Sequence, residues 1–415
     1  MKKFLLVLAA LAVLMGCAKK DEGVTLNLWH IWVADTDAMK PPFEKVVREY
    51  QAAHPEIKLV VDGTENESYK TKIRSAVAAN EAADVFFYWG AGRMKGFVDA
   101  GALLPLDEYV DAETKGRILP GGTANMTFNG KLWALPFTQW AGTFFVNQDL
   151  FDQNGLSVPA TWDELVSVCQ AFIAKGITPF TVGAKEPWTI AMYFDLFTLR
   201  QAGYTATNAA LAKTGPFNTP DIIEAARKFR QLVDMGAFGP SAMGLGATEA
   251  EFLFYEGKVP MYIIGSWAVG NMSGNNSKVK AGNTIKIYPF PVLGPNGSAK
   301  DMTGGAVDIF AVNAKTKHPK EAVDLLKYIC ENMSAELYRS GGALPTWKVN
   351  VDESQIDPLL GSLVQQLQNV DTYTLAWDTI LEGQDAQVYL EALSSLFAKL
   401  ITPEQFAETM QSIVK

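Results

Sequence analysis

Three histidines, three cysteines and ten tryptophans are spread through this 415-residue chain, and their spacing decides which chemistry is open to it. His30, His54 and His318 are scattered, none with a histidine four residues on. Zinc ligation and histidine-based hydrolysis therefore have little to build on, and no metal is expected. No G-x-S-x-G, Walker A, H-E-x-x-H or dinucleotide fingerprint occurs, so no catalytic residue and no cofactor is expected. Cys169 and Cys330 each lie inside a helical apolar pattern and are expected as buried free thiols rather than a disulfide. Cys17 is placed differently, directly after an apolar run. Ten tryptophans is a high count, and each ring either packs a core or lines a surface that binds something.

Lys2 and Lys3 precede an unbroken apolar stretch over residues 4–14, which ends in Leu14-Met15-Gly16-Cys17. The run is too short to span a bilayer as a permanent helix. It resembles a bacterial lipobox, in which the cysteine thiol is acylated and the peptide before it removed. That resemblance implies an exported body tethered to a membrane through Cys17, facing the periplasm or the exterior, since lipoprotein processing supplies the several acyl chains stable anchoring takes. Apolar residues at 48% and charged residues at 20% suit a compact protein with more than one core at this length. The net charge of −9, with no long basic run, makes nucleic acid an unexpected partner.

These residues need elements to hold them. Residues 24–32 (VTLNLWHIW) alternate and read as a strand, 41–53 as a helix, 57–62 as a strand, 68–80 as a helix and 84–88 as a short buried strand. Such β-α-β-α-β alternation implies a parallel sheet whose ligands sit outside the carboxyl ends of its strands. Those ends are residues 29–35, 63–67 and 88–93. The second half repeats the style. Thr161, three residues before Glu164, forms a capping box for a helix ending at Gly176. Residues 178–183 read as a strand, 188–203 and 220–235 as helices, 259–264 and 308–312 as strands, 319–332 as a helix, and 385–415 as two more helices.

Several strings, in order, resemble the extracellular sugar-binding proteins of ABC importers, the group that includes maltose-binding protein. They are Asp84-Val-Phe-Phe-Tyr-Trp89, Gly130-Lys-Leu-Trp-Ala-Leu-Pro136, Phe145-Val-Asn-Gln-Asp-Leu-Phe151 and Pro159-Ala-Thr-Trp-Asp-Glu-Leu165. Then come Phe254-Tyr-Glu-Gly-Lys-Val-Pro-Met-Tyr-Ile-Ile-Gly-Ser-Trp267, Gly304-Gly305 and Gly341-Gly342-Ala-Leu-Pro345. The resemblance implies an α/β, two-lobed periplasmic-binding-protein fold with hinge-crossing strands and an interlobe ligand cleft. Residues 1–16 would be the lipoprotein signal peptide and 17–23 a tether. Residues 24–140 with 306–345 would form the N-terminal lobe, and 141–305 with 346–415 the C-terminal lobe. The crossings would fall near residues 139–143, 306–310 and 345–348.

By the same resemblance Trp89, Trp188 (after Glu186), Trp267 and Trp377 match binding aromatics. Trp29, His30, Trp32 and Asp35 occupy the first strand's exit, Glu65 and Asn66 the neighbouring rim, Gln139 and Trp140 the hinge, with Gly304 and Gly305 beside it. A pyranose has apolar C–H faces and a rim of hydroxyls, so indole rings covering the faces and carboxylates or amides at the rim suit it. Trp133 and Trp162, inside strand and helix motifs, are expected to pack cores. One departure stands out. Where maltose-binding relatives have an acid after the third-strand aromatic, this chain has Trp89-Gly-Ala-Gly92-Arg93, which puts a maltodextrin in doubt. Arg93 suggests an acidic or phosphorylated group, or else a surface arginine at a helix start.

The expected function is substrate capture for an ABC importer: a carbohydrate, an oligosaccharide by preference, taken by lobe closure and delivered to permease subunits by a monomeric receptor. A sensory receptor with the same trap is an alternative. A secreted glycan-active enzyme is another; it would need two carboxylates facing one bond across roughly 5–10 Å. Asp35 and Glu65 would be its candidates.

Overall fold

The computed structural model describes residues 23–272, 284–352, 354 and 356–414. Cys17, and with it the expected signal peptide and most of the tether, lies outside the described residues.

Strand β1 (Thr25–His30) alternates outward and inward, burying Leu26, Leu28 and His30. It pairs in parallel with β2 (Lys58–Gly63) on one side and β3 (Val85–Trp89) on the other. The intervening helices Lys40–Ala53 and Asn66–Ala79 supply the crossovers. β3 reads Val-Phe-Phe-Tyr-Trp and is buried along nearly its whole length, as a central strand covered on both faces must be. A small hairpin, β4 (Thr127–Phe128) and β5 (Lys131–Leu132), precedes the long β6 (Ala134–Asn147). Then follow β7 (Met261–Gly265), β8 (Ile285–Tyr288), β9 (Asp301–Val312), β10 (Leu344–Pro345) and β11 (Thr372–Thr374). The main sheet runs β10-β6-β9-β3-β1-β2.

Two strands are shared between the lobes. Through Ala141, β6 pairs antiparallel with β9 and β10; from Gly142 it pairs with β7 and β8 instead. β9 changes partner too, from β11 at Asp301–Thr303 to β6 and β3 beyond. The change falls at Gly304 and Gly305, whose φ values of 141° and 146° lie where side chains are rarely tolerated. A Cβ at Gly304 would stand 2.2 Å from the Trp140 carbonyl oxygen.

Each side of this crossing has its own apolar core. The first gathers Leu28, Phe86, Phe87, Leu135, Phe137 and Phe310 beneath helix Pro319–Arg339. The second gathers Phe144, Phe194, Phe229, Ile263, Phe290 and Phe406 around helix Pro187–Leu211. A third cluster, including Trp140, Phe145, Tyr262 and Ile264, sits where the strands cross. Helix Pro187–Leu211 is buried almost all round from Thr189 to Gly203. Its buried Arg200 donates to the carbonyls of Phe290, Ser298, Ala299 and Asp301, fastening the approach to β9. Trp347, assigned by sequence to the second lobe, packs in the first core, its indole Nε1 donating to the Pro136 carbonyl at 2.7 Å.

Two sequence expectations change. Residues 178–183 form no strand beyond a single bridge from Phe180 to Met261. The stretch is buried, but the Phe180 and Ala184 amides bond to the Ala237 and Ala242 carbonyls, so the pairing with β7 goes no further than that bridge. β9 begins at Asp301, seven residues before the expected start, because a glycine pair that looks like a turn in the sequence is extended backbone at a crossing. Cys169 and Cys330 are buried free thiols, as read. Among the described residues no helix is long and apolar enough to cross a membrane.

Candidate functional site

A cavity of about 310 Å³ opens between the two cores, and its walls come from both.

The first lobe gives three strand exits. After β1, Trp32 is buried to 3% exposure against Phe43, Phe87, Phe137 and Phe310, and offers the cavity only part of its ring. Asp37 follows, accepting from the Met39 amide at 2.9 Å, its carboxyl raised by burial. After β2, Glu65 caps helix Asn66–Ala79 by accepting from the Glu67 and Ser68 amides, a favourable place for a negative charge at a helix start. One turn along, Lys70 bonds to Glu67 and sets its ammonium 5.8 Å from the Trp89 ring and 5.9 Å from the Trp188 ring. β3 itself ends in Trp89, edge-on to Phe87. Arg93 donates to the carboxylate and the carbonyl of Asp378 while lying 5.4 Å from the Trp89 ring. Gly92 is required here: a Cβ would meet the Ile380 carbonyl oxygen at 2.2 Å. The glycine-rich rim thus admits a neighbouring backbone, and Arg93 is engaged with Asp378.

The second lobe supplies the opposite wall. Glu186 precedes helix Pro187–Leu211 and accepts from the Ala247 amide at 2.9 Å and the Trp188 indole at 3.0 Å, which fixes that ring. Trp267 lies across Gly265, where a Cβ would clash with its ring at 1.9 Å; this explains the Gly-Ser-Trp string. Ser266 between them accepts from the Ala141 amide. Trp267 meets Trp140 edge-on at 5.5 Å and Trp188 at 6.3 Å. Glu251, Phe252 and Tyr255 face the cavity from helix Ala247–Tyr255, with the Tyr255 hydroxyl donating to Glu251 at 2.9 Å. Burial pushes the Glu251 carboxyl up to about 7. The crossing strands form the floor with Phe137, Trp140, Val307 and Asp308. Asp308 is half-buried, and burial alone pushes it up to about 7.

Of the residues singled out by sequence, the structure brings Trp32, Glu65, Asn66, Trp89, Trp140, Glu186, Trp188 and Trp267 to this cavity. The others are placed elsewhere. Trp29 turns away, its ring beneath the Lys72 ammonium at 4.2 Å. His30 packs on Phe43 at 4.3 Å and accepts from the Trp32 amide; burial lowers it to about 4, so it is neutral. Asp35 is exposed and pairs with Lys40, so no Asp35–Glu65 carboxylate pair faces the cavity. Gln139 straps the hinge through the Pro345 carbonyl at 3.0 Å, and Gly304 and Gly305 serve the crossing. Trp377 is fully buried against Phe194, Phe217 and Tyr389, and is core. Its neighbours Ala376 and Asp378 line the cavity instead. Trp133 and Trp162 pack against the first and second cores, as expected.

Sequence reasoning missed Asp37, Lys70, Glu251, Tyr255, Asn271 and Asp308. Two signals were available: Glu251 and Tyr255 are four apart and share a helix face, and Asp308 is a charge set between apolar residues in the middle of a strand. Among the described residues no cluster of three His, Cys, Asp or Glu side chains is set to hold a metal ion. The arrangement is suited to holding a molecule with flat apolar faces and a polar edge.

A family model described as bacterial extracellular solute-binding protein matches residues 34–335. A putative binding protein of Brucella abortus is 27% identical over 356 residues, 85% of this chain and 82% of that one. The multiple sugar-binding protein of Streptococcus mutans is 25% identical over 372 residues, with 85% of this chain and 82% of its own covered. A solved structure from work on xylan utilization by the thermophilic bacterium Caldanaerobius polysaccharolyticus is 35% identical. It superposes with a TM-score of 0.90 over 94% of this chain and 100% of its own. A chitin oligosaccharide binding protein is 25% identical, with a TM-score of 0.86 over 95% of this chain and 98% of that one.

Proposed function

Since this chain belongs to the bacterial extracellular solute-binding proteins, we propose that it captures an oligosaccharide between its lobes and hands it to the permease of an ABC importer. The observation that carries this reading is the aromatic cluster drawn from both sides of the hinge. On the second wall Trp267 lies 5.5 Å from Trp140 of the floor and 6.3 Å from Trp188, facing Trp89 and Trp32 of the first. Such a set covers sugar faces, while the carboxylates and amides around it meet hydroxyls. Relatives named for sugars and chitin oligosaccharides support a carbohydrate rather than another solute.

Closure draws its free energy from contacts the ligand makes with both lobes at once, since a ligand shifts an equilibrium only through differential binding. The protein acts as a binder, not a catalyst, and as a monomer. We assign residues 24–140 with 306–345 to one lobe and 141–305 with 346–415 to the other, moving Trp347 to the first. Cys17 is the acylation site that tethers the exported protein; Cys17→Ala should release it from membranes, and a variant that stays bound would contradict the anchor. Calorimetric titration of residues 24–415 with xylo-, chito- and malto-oligosaccharides and raffinose tests the receptor reading. One sugar class should bind saturably and be recovered intact; binding of none, or hydrolysis, would overturn it.

A further inference from the structure

Asp308 stands on the cavity floor, opposite Trp89 of β3 and Thr138 of β6, and its carboxylate has no hydrogen-bond or ion-pair partner among the described residues. A half-buried carboxylate without partners is unfavourable in an empty protein. The neighbouring acids are all engaged: Glu65 with a helix start, Glu186 with Trp188 and Ala247, Glu251 with Tyr255. Both cations on the cavity wall are engaged too, Arg93 with Asp378 and Lys70 with Glu67. A second acceptor is unmet: the Asn271 Oδ1 on the same cavity is buried with no partner among the described residues.

Resting on the receptor reading above, we propose that Asp308 is the specificity-determining acceptor of this cleft. It takes paired hydroxyl donors from an uncharged oligosaccharide and excludes the carboxylate-bearing counterpart. Above about pH 7, where the buried Asp308 carboxyl is ionised, it accepts at both oxygens and donates nothing, so adjacent sugar hydroxyls complete it through charge-assisted hydrogen bonds. Asn271 Oδ1 adds an acceptor that a hydroxyl, and not a carboxylate, can satisfy. An acidic sugar seated on the floor would meet a like charge at Asp308 and find Arg93 and Lys70 already paired.

The test compares the wild-type protein with Asp308→Asn and Asp308→Glu, titrated with xylotetraose, chitotetraose, maltotriose and raffinose and with tetragalacturonate and a glucuronic-acid-bearing xylo-oligosaccharide. Wild type should bind a neutral sugar and favour it over acidic ones. Asp308→Asn should weaken neutral binding at least tenfold and narrow that preference, because its amide keeps the shape and loses the charge. Asp308→Glu should lose affinity yet retain the preference. Melting curves keep the result interpretable: Asp308→Asn, relieved of an unpaired charge, should melt no lower than wild type, and exposed Asp35→Asn should leave binding unchanged. Unaltered neutral binding by Asp308→Asn, or a wild-type preference for the acidic sugars, would overturn the role of Asp308 while leaving the receptor reading standing. Failure of the wild type to bind any sugar would instead remove both.

Discussion

Two tryptophans that look alike in the sequence have opposite surroundings. Trp267 is part-exposed at the cavity between Trp140 and Trp188, whereas Trp377 is sealed in the second core, its indole Nε1 without a partner among the described residues. Trp267→Ala should therefore cost binding about 2 kcal/mol, on the order of thirtyfold, with little change in melting. Trp377→Ala should lower stability by about 3–5 kcal/mol through the cavity it leaves. Calorimetry paired with thermal melts separates the two, and an early-melting Trp267→Ala that binds normally would contradict the assignment. Motif position pointed to Trp89, Trp188 and Trp267, all three of which line the cavity. It misled at Trp377 because a one-residue difference along a helical turn decides which side chain faces the cleft. Asp308 and Glu251 give a pH signature. Both carboxyls are raised by burial to about 7, so the folded chain keeps protons that the unfolded chain has lost. Their contribution favours folding at pH 4–5 and is lost as pH rises through 7. Melting of the ligand-free protein should show this fall, and Asp308→Asn should remove part of it.

At the scale of elements, the β-α-β-α-β start and the capped helix at Trp162–Ala174 were readable because periodicity and capping are local. The crossing strands were harder. Nothing local says that Gly304 and Gly305 continue a strand rather than turn it, since the reason is the Trp140 carbonyl lying against them from β6. Residues 178–183 failed in the reverse direction: the pattern is that of a strand, but it meets β7 at a single bridge, from Phe180 to Met261. Gly92 carries a further prediction. A methyl there would press on the Ile380 backbone, so Gly92→Ala should either lower stability by about 1–3 kcal/mol or spread the lobes apart. A variant with unchanged melting and unchanged small-angle scattering would show that this approach of segments is not maintained in solution.

For the whole molecule, the two cores lie on either side of a cleft, and β6 and β9 run from one to the other. Arg93 reaches from the first lobe to Asp378, beside the core residue Trp377 of the second, so the pair spans the opening. Replacing Arg93 with Met should widen the ligand-free protein, seen as a larger radius of gyration, and scattering identical to wild type would deny the bridge. The central claim is that an oligosaccharide is held between the lobes against indole rings from both. The most direct measurement is intrinsic tryptophan fluorescence of residues 24–415, titrated with the neutral oligosaccharides, in wild type and in Trp267→Ala. We predict a saturable change for one sugar class, recovered unconsumed, that is weakened on the order of thirtyfold in the variant. An unchanged spectrum across the panel, or equal affinity in Trp267→Ala, would contradict it.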